Sequence, residues 1–269
     1  MTGLMPQVRQ HFSRSADRYD AEARLQQALA WRLAHLARGL PLPPGPRADL
    51  GAGSGLLSRA LLRHNPHWPP QPPLQLDLCS ALLATNPLCQ ARPAAPALTW
   101  DLNQGLPPQL QRAALLASSF ALQWLEEPAQ QLQGWARALA PRGWLLLAVP
   151  TAGSFPQWRQ AAQRAGVPCT ALDLPAAAPL LAAVTDAGLA VTRQHLLRFT
   201  LPRHGGLVTL RWLRAIGAGA SRHRPLPAGE LRRLLQHWPP QTPLSWEVLV
   251  LLAQAPQSHH TATSITPLC

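Results

Sequence analysis

The chain has 269 residues, which is long enough to bury a sizeable core as one domain with an insertion. Its formal net charge is +12 without any lysine, so arginine alone supplies a field that favours acidic partners, although arginine in place of lysine also follows from nucleotide bias. No arginine run is dense enough for a nucleic-acid-binding arm, no apolar run approaches a membrane span, and the four cysteines lack metal-ligand spacing.

The first part of the chain alternates predicted strands with predicted helices. Leucines at helical spacing between Leu25 and Leu36 predict a helix over about 6–38, and the prolines of 41–46 end it. Strands are predicted at 47–50, 74–78, 97–100, 115–119 and 143–149. Helices are predicted after the glycine turn through about Arg63 and over 128–140. This alternation is typical of a parallel sheet covered by helices.

The second part adds the remaining elements, with helices at 155–165, 176–187, 207–216 and 229–237 and strands at 189–201 and 246–253. We therefore predict an α/β, Rossmann-like fold with a seven-stranded, mostly parallel sheet and helices on both faces. The elements at about 6–38 and 205–240 are predicted to form a helical cap. A single domain then spans 1–256, and 257–269 form a disordered tail.

A glycine-rich sequence, DLGAGSG, begins at Asp49 between a predicted strand and a predicted helix. Gly51, Gly53 and Gly55 let the backbone turn tightly and approach a ligand. N–H groups at a helix start favour an anion, which in a methyltransferase is the carboxylate of S-adenosylmethionine, and Asp49 can face its ammonium group. A dinucleotide fingerprint needs a small residue where Leu56 stands, so the spacing favours S-adenosylmethionine over NAD. A glycine-rich turn without a ligand is the remaining alternative.

Two further acids follow predicted strands. Asp77 ends the second strand, where a carboxylate can accept both ribose hydroxyls, and Asp101 follows the third, where it can accept from the adenine amino group. A helix cap or a turn is the alternative role of Asp77. Because the carboxyl ends of parallel strands share one edge of the sheet, we expect these acids and the glycine turn to converge on one cofactor site.

Methyl transfer from a sulfonium needs little side-chain chemistry. The methyl group is already electrophilic, so the enzyme has to align an oxygen nucleophile and exclude water, and alignment contributes roughly 7–11 kcal/mol. The sequence contains no GxSxG and no plausible Cys/His pair, so we predict no catalytic residue as such. Trp124 and Tyr19 are candidate aromatic faces for the sulfonium. Core packing for Trp124 and a helix-surface position for Tyr19 are the alternatives.

Segments from almost the whole chain resemble the methyltransferases of biotin synthesis that esterify malonyl-acyl carrier protein. They are HFSRSADRYDAEARLQ at 11–26, DLGAGSGLLSRAL at 49–61, LDLCSALLA at 76–84, SSFALQW at 118–124, GSFPQWRQA at 153–161, LRWLRAIGA at 210–218 and PLSWEVLVLLA at 243–253. The glycine loop is common to many methyltransferases. The IGA sequence combined with the PLSWEVL ending is much more specific.

This resemblance implies an S-adenosylmethionine-dependent O-methyltransferase that esterifies the free carboxylate of a malonyl thioester. The ionised carboxylate is the nucleophile. Methylation removes its charge, so the ester can serve in place of an ordinary apolar fatty-acid primer. The resemblance also implies site residues. Phe12 and Tyr19 would contact the substrate, Ser119 would contact the cofactor together with Trp124, and Arg211, or Arg214 three residues later, would bind the malonyl carboxylate.

The implied partner is acyl carrier protein, which is strongly acidic. Arg9, Arg14 and Arg18 of the N-terminal helix are candidates for docking it, and a solvated helix face is the alternative. Two features depart from the family pattern. Ser119 replaces the usual asparagine, and 167–175 lacks the R-F-L-P sequence common there. Either departure can alter the shape of the substrate site.

Two other functions stay open. The chain could methylate another small acceptor, such as a quinone or a natural-product acid, or be a non-catalytic, methyltransferase-like partner protein. The cap sequence favours the malonyl substrate, and the intact glycine motif and acids argue against a non-catalytic protein. We expect a cytoplasmic enzyme that uses S-adenosylmethionine, with no metal, no nucleic-acid partner and no membrane association. A monomer is the default expectation, and the choice between malonyl-carrier and malonyl-CoA is left open.

Overall fold

Seven strands form one mixed sheet in the computed structural model, which describes residues 3–239 and 242–257 except for the side chains of 201–204. The strands are β1 Arg47–Leu50, β2 Leu74–Asp77, β3 Ala97–Thr99, β4 Ala113–Ser119, β5 Leu139–Pro150, β6 Ala190–His204 and β7 Pro243–Gln254. Their order is β3-β2-β1-β4-β5-β7-β6. Neighbours among β1 to β5 are parallel, and β7 is antiparallel to β5 and β6. The predicted seven-stranded, mostly parallel sheet is confirmed.

Helices cover both faces of this sheet, as predicted. They are α1 Leu4–Ser15, α2 Tyr19–Glu22, α3 Arg24–Leu36, α4 Leu56–His64, α5 Ser80–Thr85, α6 Pro87–Gln90, α7 Pro128–Arg137, α8 Pro156–Ala165, α9 Ala177–Asp186, α10 Gly206–Ala215 and α11 Ala228–Gln236. Side chains from α3, α4, α8, α10 and α11 share one apolar core, and those from α7 and α9 share the other. No pattern predicted α5 and α6, because such short helices show too few turns of periodicity.

The predicted continuous helix over 6–38 is wrong in its continuity. A 3₁₀ turn at Ala16–Arg18 separates α1 from α2, and Ala23, between α2 and α3, has φ −83° and ψ 44°. The reason is tertiary packing: α1 packs against α5 and α10, whereas α3 packs against α4 and β5. The chain has to bend between these two sets of partners, and helical periodicity alone does not report such a bend.

The centre of the sheet is β4 and β5. Every residue of 145–149 is fully buried, as expected for a strand covered on both faces. The predicted helix over 128–140 is too long, since α7 ends at Arg137 and Leu139 already pairs with Ala113 as part of β5. Strand pairing therefore overrides the helical pattern at this end of α7.

Three predictions concern membrane spans, the C-terminal tail and the cysteines. No helix within the described ranges is long and apolar enough to cross a membrane. The predicted disordered tail over 257–269 lies outside the described residues except for Gln257. Within the described ranges, the thiols of Cys79, Cys89 and Cys169 are free.

Glu247 on β7 shapes the turn that follows β5. Its Oε1 accepts hydrogen bonds from the Thr151 hydroxyl at 2.7 Å and from the Gly153 backbone N–H at 3.2 Å. A side chain at Gly153 would collide with this carboxylate. Just beyond the turn, the Phe155 ring packs against Trp246 with the ring centroids 4.4 Å apart. The buried carboxylate therefore positions the segment that leads into α8.

Replacing Glu247 by alanine is expected to lower the free energy of unfolding by about 1–3 kcal/mol, because the Gly153 N–H loses its buried acceptor and the Thr151 hydroxyl keeps only the Glu247 backbone carbonyl. Glu247→Gln keeps an acceptor oxygen and is expected to cost less. Urea unfolding followed by tryptophan fluorescence measures both, with Glu126→Ala, at an exposed position, as the control. Equal unfolding midpoints for Glu247→Ala and the unmodified protein would contradict this role.

Candidate active site

The glycine loop connects β1 to α4 at the carboxyl edge of the sheet. Gly51, Gly53 and Gly55 have φ values of 77°, 53° and 81°, which favour glycine. A Cβ atom on Gly51 would collide with Ala121, and one on Gly55 would collide with Asn86. At Gly53 an added Cβ would meet nothing closer than 3.7 Å. Gly51 and Gly55 therefore allow close packing of the chain on itself, whereas space is left beside Gly53.

Asp77 joins the loops that follow β1 and β2. Its Oδ2 accepts a hydrogen bond from the Gly53 N–H at 2.8 Å, and its Oδ1 accepts one from the Cys79 N–H at 2.7 Å. Burial raises the pKa of Asp77 to about 6, although these two hydrogen bonds oppose the rise. The predicted convergence of the glycine turn with this acid is therefore a direct contact.

Asp49 lies beneath the glycine loop and is fully buried. Its Oδ2 accepts hydrogen bonds from the Ser58 hydroxyl at 2.7 Å and the Ser58 N–H at 3.1 Å. Burial raises the pKa of Asp49 to about 7, the Ser58 bonds oppose the rise, and the negative charge of Asp77 adds to it. The charge of Asp77 therefore acts on Asp49, although burial is the larger cause of the raised pKa.

Asp101 caps a short turn after β3. Its Oδ1 accepts hydrogen bonds from the backbone and side-chain nitrogens of Asn103, both at 2.9 Å. Asn103 in turn accepts from the Glu126 N–H at 2.9 Å, which ties this turn to the segment after β4. The described contacts of Asp101 are therefore those of a turn cap, and its adenine contact stays a prediction.

Asp20 ties the N-terminal segment to the glycine loop, and sequence reasoning missed it. Its Oδ1 accepts from the Ser54 hydroxyl, and its Oδ2 pairs with the Arg59 guanidinium at 2.7 Å. Beside it, burial and the charges of Asp77 and Asp20 raise the pKa of the Tyr19 phenol. Asp20 lies 34 residues from Ser54 and 39 from Arg59, so no spacing pattern could have indicated these contacts.

A cavity of about 730 Å³ lies between the N-terminal segment, α10 and the sheet. Seven aromatic side chains line it: Phe12, Tyr19, Phe120, Trp124, Phe155, Trp158 and Trp246. Arg211 and Arg214 of α10 also line the cavity, and both side chains are exposed to solvent. The structure thus brings together the four predicted substrate contacts and Trp124 in one cavity wall.

Ser119, the last residue of β4, and Trp124, in the segment that follows, keep unpaired polar atoms. The Ser119 Oγ and Trp124 Nε1 atoms are buried and have no hydrogen-bond partner among the described residues. The Trp124 ring packs edge-on against Phe12, with the centroids 5.8 Å apart, and clusters with Leu4 and Val8. Trp124 therefore has a core-packing role as well as a place in the cavity wall. A ligand group that forms a hydrogen bond with the Ser119 Oγ would offset the cost of leaving this buried atom unpaired.

The comparisons with known proteins identify the family. No protein-family model matches the chain. The biotin biosynthesis bifunctional protein BioCD of Bordetella avium is 34% identical over 249 residues, covering 88% of this chain and 50% of the relative, so the chain spans half the length of that relative. The malonyl-(acyl-carrier protein) O-methyltransferase of Magnetococcus marinus is 30% identical over 246 residues, covering 85% of this chain and 84% of the relative. The chain belongs to the malonyl-(acyl-carrier protein) O-methyltransferase family. The resemblance found in the sequence is thereby confirmed.

Solved structures share the fold of this family member at low sequence identity. The magnesium protoporphyrin IX methyltransferase of Synechocystis, with bound S-adenosylhomocysteine, has a TM-score of 0.59 at 14% identity, covering 94% of this chain and all of that one. The N-methyltransferase NodS of Bradyrhizobium japonicum, with the same ligand, has a TM-score of 0.54 at 13% identity, covering 93% of this chain. These neighbours establish the Rossmann-like methyltransferase fold.

The acid pair predicts a pH-dependent stability in the absence of ligand. Because the pKa values of Asp49 and Asp77 are raised from 3.8 to about 7 and about 6, the folded state binds more protons than the unfolded chain between about pH 4 and pH 7. The contribution of the pair is greatest when both acids are protonated and is lost as the pH rises. The free energy of unfolding is therefore expected to fall across this window.

Asp49→Asn isolates this effect, because asparagine keeps an acceptor for Ser58 but does not ionise. Its loss of stability between about pH 5 and pH 7.5 is expected to be smaller than that of the unmodified protein by on the order of 1 kcal/mol. Urea unfolding at the two pH values measures it, and Asp186→Asn, at an exposed position, should keep the original dependence. The same pH dependence in Asp49→Asn and the unmodified protein would contradict the raised pKa.

Proposed function

We propose that this chain transfers the methyl group of S-adenosylmethionine to the free carboxylate of a malonyl thioester on acyl carrier protein, an early step of biotin synthesis. The observation that carries the proposal is the cavity lined by aromatic residues and arginines, in a chain that is 30% identical to a relative of that name. Its lining residue Tyr19 precedes Asp20, which contacts Ser54 of the glycine loop. The cavity volume of about 730 Å³ is within the range of small-molecule sites, roughly 300–1,000 Å³.

The residues around the glycine loop fit S-adenosylmethionine. Each oxygen of Asp77 accepts one backbone hydrogen bond and keeps a second lone pair for a ribose hydroxyl. The unpaired Ser119 Oγ and the Asp49 carboxylate would offer partners to the amino-acid end, whereas the Gly51, Gly53 and Gly55 N–H groups already donate within the chain. When bound, S-adenosylmethionine supplies a sulfonium methyl group that a carboxylate oxygen takes up, leaving a neutral ester and a neutral thioether.

The cavity residues orient the acceptor and exclude water. The walls are mainly apolar. Their hydrogen-bond donors include the α10 arginines, the Tyr19 phenol and the unpaired indole N–H groups of Trp124, Trp158 and Trp246. The raised pKa of Tyr19 keeps this phenol protonated, so Tyr19 can donate a hydrogen bond but does not act as a base. An ionised carboxylate needs no base, and alignment in the cavity is the main contribution of the protein.

The proposed partner is the acidic acyl carrier protein. Arg9, Arg14 and Arg18 are all exposed on the N-terminal segment. Helical spacing puts Arg14 on the same side of α1 as Gln7 and His11, which line the cavity, and puts Arg9 on the opposite side. We therefore expect Arg14 to contribute more than Arg9 to docking at the cavity opening.

Mass spectrometry of malonyl-acyl carrier protein after incubation with the enzyme and S-adenosylmethionine tests the function. One methyl group is expected on the malonyl carboxylate. Acetyl-acyl carrier protein lacks the free carboxylate and is the matched control, which should stay unchanged. No methylation of the malonyl carrier, with methylation of another small acceptor, would replace the proposed substrate.

Asp77→Ala is expected to weaken S-adenosylmethionine binding about 5- to 150-fold, because unpaired ribose hydroxyls cost about 1–3 kcal/mol. Titration calorimetry measures the affinity, and circular dichroism checks that the variant is folded. Asp186→Ala, at an exposed position on α9, is the control and should bind normally. An unchanged affinity in folded Asp77→Ala would remove the ribose role of this acid.

Of the two arginines on α10, we propose that Arg211 binds the malonyl carboxylate. The carboxylate loses its charge during transfer, so an ion-pair partner stabilises the bound substrate more than the transition state. Arg211→Met is expected to raise KM for the malonyl substrate severalfold with a smaller change in kcat. Kinetics of Arg214→Met measured in parallel decide between the two. A rise in KM with Arg214→Met alone would transfer the role to Arg214, and no rise with either would remove both.

A further inference from the structure

A loop between α10 and α11 lies at the cavity opening and is held by three anchors. We call residues 221–224 the rim loop. The Ser221 hydroxyl donates to the Thr170 carbonyl at 2.9 Å, and the His223 Nε2 lies 3.1 Å from the Asp173 carboxylate. The His223 N–H also donates to the Ser221 hydroxyl at 3.1 Å, which closes the turn. The rim loop therefore has a defined position over the segment 167–175, which departs from the family pattern.

The third anchor fixes one arginine of the rim loop. The Arg222 Nη2 donates to the Leu125 carbonyl at 2.9 Å, and both Arg222 and Arg224 line the cavity while remaining exposed. A guanidinium carries five N–H donors, so the Leu125 contact leaves most of those of Arg222 for a ligand. Two guanidinium groups therefore lie at the cavity opening, and the contact with Leu125 already orients that of Arg222.

This positive charge is not neutralised by the described part of the chain. Neither Arg222 nor Arg224 forms an ion pair with a described residue, and the same is true of Arg211 and Arg214. The cavity opening thus concentrates four arginines, two on α10 and two on the rim loop, which favours anionic ligands. The malonyl carboxylate proposed above accounts for one anion, which is bound by Arg211 of α10, and leaves the rim-loop arginines without an assigned ligand.

We propose that Arg222 and Arg224 bind the phosphate of the phosphopantetheine arm that carries the acyl group. This inference rests on the proposed function, because a malonyl thioester on such an arm has a carboxylate at one end and a phosphate at the other. An arginine guanidinium group binds phosphate oxygens through paired, charge-assisted hydrogen bonds. Acyl carrier protein and CoA share this phosphate, so the rim loop recognises the arm in either substrate.

The test compares malonyl-acyl carrier protein and malonyl-CoA with malonyl-pantetheine, which lacks the phosphate. In the double variant Arg222→Gln/Arg224→Gln, KM for the two phosphorylated substrates is expected to rise about fivefold or more, as for the loss of a charge-assisted hydrogen bond. KM for malonyl-pantetheine is expected to stay unchanged. Arg224→Gln alone keeps the Leu125 anchor and should show part of the effect.

The matched control is Arg137→Gln/Arg164→Gln, which removes the same charge from exposed positions on α7 and α8 outside the cavity lining. An equal rise of KM in this control would show an effect of net charge and overturn the proposal. An equal rise for malonyl-pantetheine would show damage to the cavity, and a rise for the carrier alone would show a contact with the carrier protein. Either result, or no rise at all, would also overturn it.

Calorimetry with free phosphopantetheine and pantetheine separates this inference from the proposed function. The unmodified protein is expected to bind phosphopantetheine more tightly than pantetheine, and the rim-loop double variant should lose that difference. If no malonyl substrate is methylated but the difference is found, the proposed function fails and the phosphate site stands. If malonyl substrates are methylated and the difference is not found, the phosphate site fails alone.

Discussion

The hydrogen bond from the Gly53 N–H to the Asp77 carboxylate joins the loops that follow two parallel strands. Because β1 and β2 are neighbours in register, Leu50 opposite Leu76, their following loops emerge side by side. Burial of Asp77 would be costly without partners, and the N–H groups of Gly53 and Cys79 offset that cost. The same two groups hold the glycine loop in one shape, so the space beside Gly53 exists before any ligand arrives.

The N-terminal segment depends on this loop for its position. Asp20 accepts from Ser54 and pairs with Arg59, so the segment that carries Tyr19 is fastened to the first turn of α4. On its other side the segment contacts α10, and the cavity lies where these contacts meet the sheet. A shift of the glycine loop would therefore move the cavity wall as well, which links the proposed cofactor site to the proposed acceptor site.

The distribution of charge follows from where the loops are anchored. A net charge of +12 says that anions are favoured but not where they bind. Anchoring of the rim loop to Thr170, Leu125 and Asp173 concentrates the positive charge of Arg222 and Arg224 at the cavity opening. The interior behind it is mainly apolar, so the arginine charge of the cavity lies at its opening.

The sequence by itself determined the strands of the sheet, the longer helices that flank it and the glycine loop, because apolar runs, helical periodicity and a Gly-rich turn are local patterns. The short helices α5 and α6 show no such pattern. It also located Asp77, because an acid at a strand end is a local feature. Tertiary structure alone decided the break at Ala23, the contacts of Asp20 and the place of the rim loop. Each of these depends on residues far apart in the chain that packing brings together, and pairwise contacts over such separations leave no periodic signal in a single sequence.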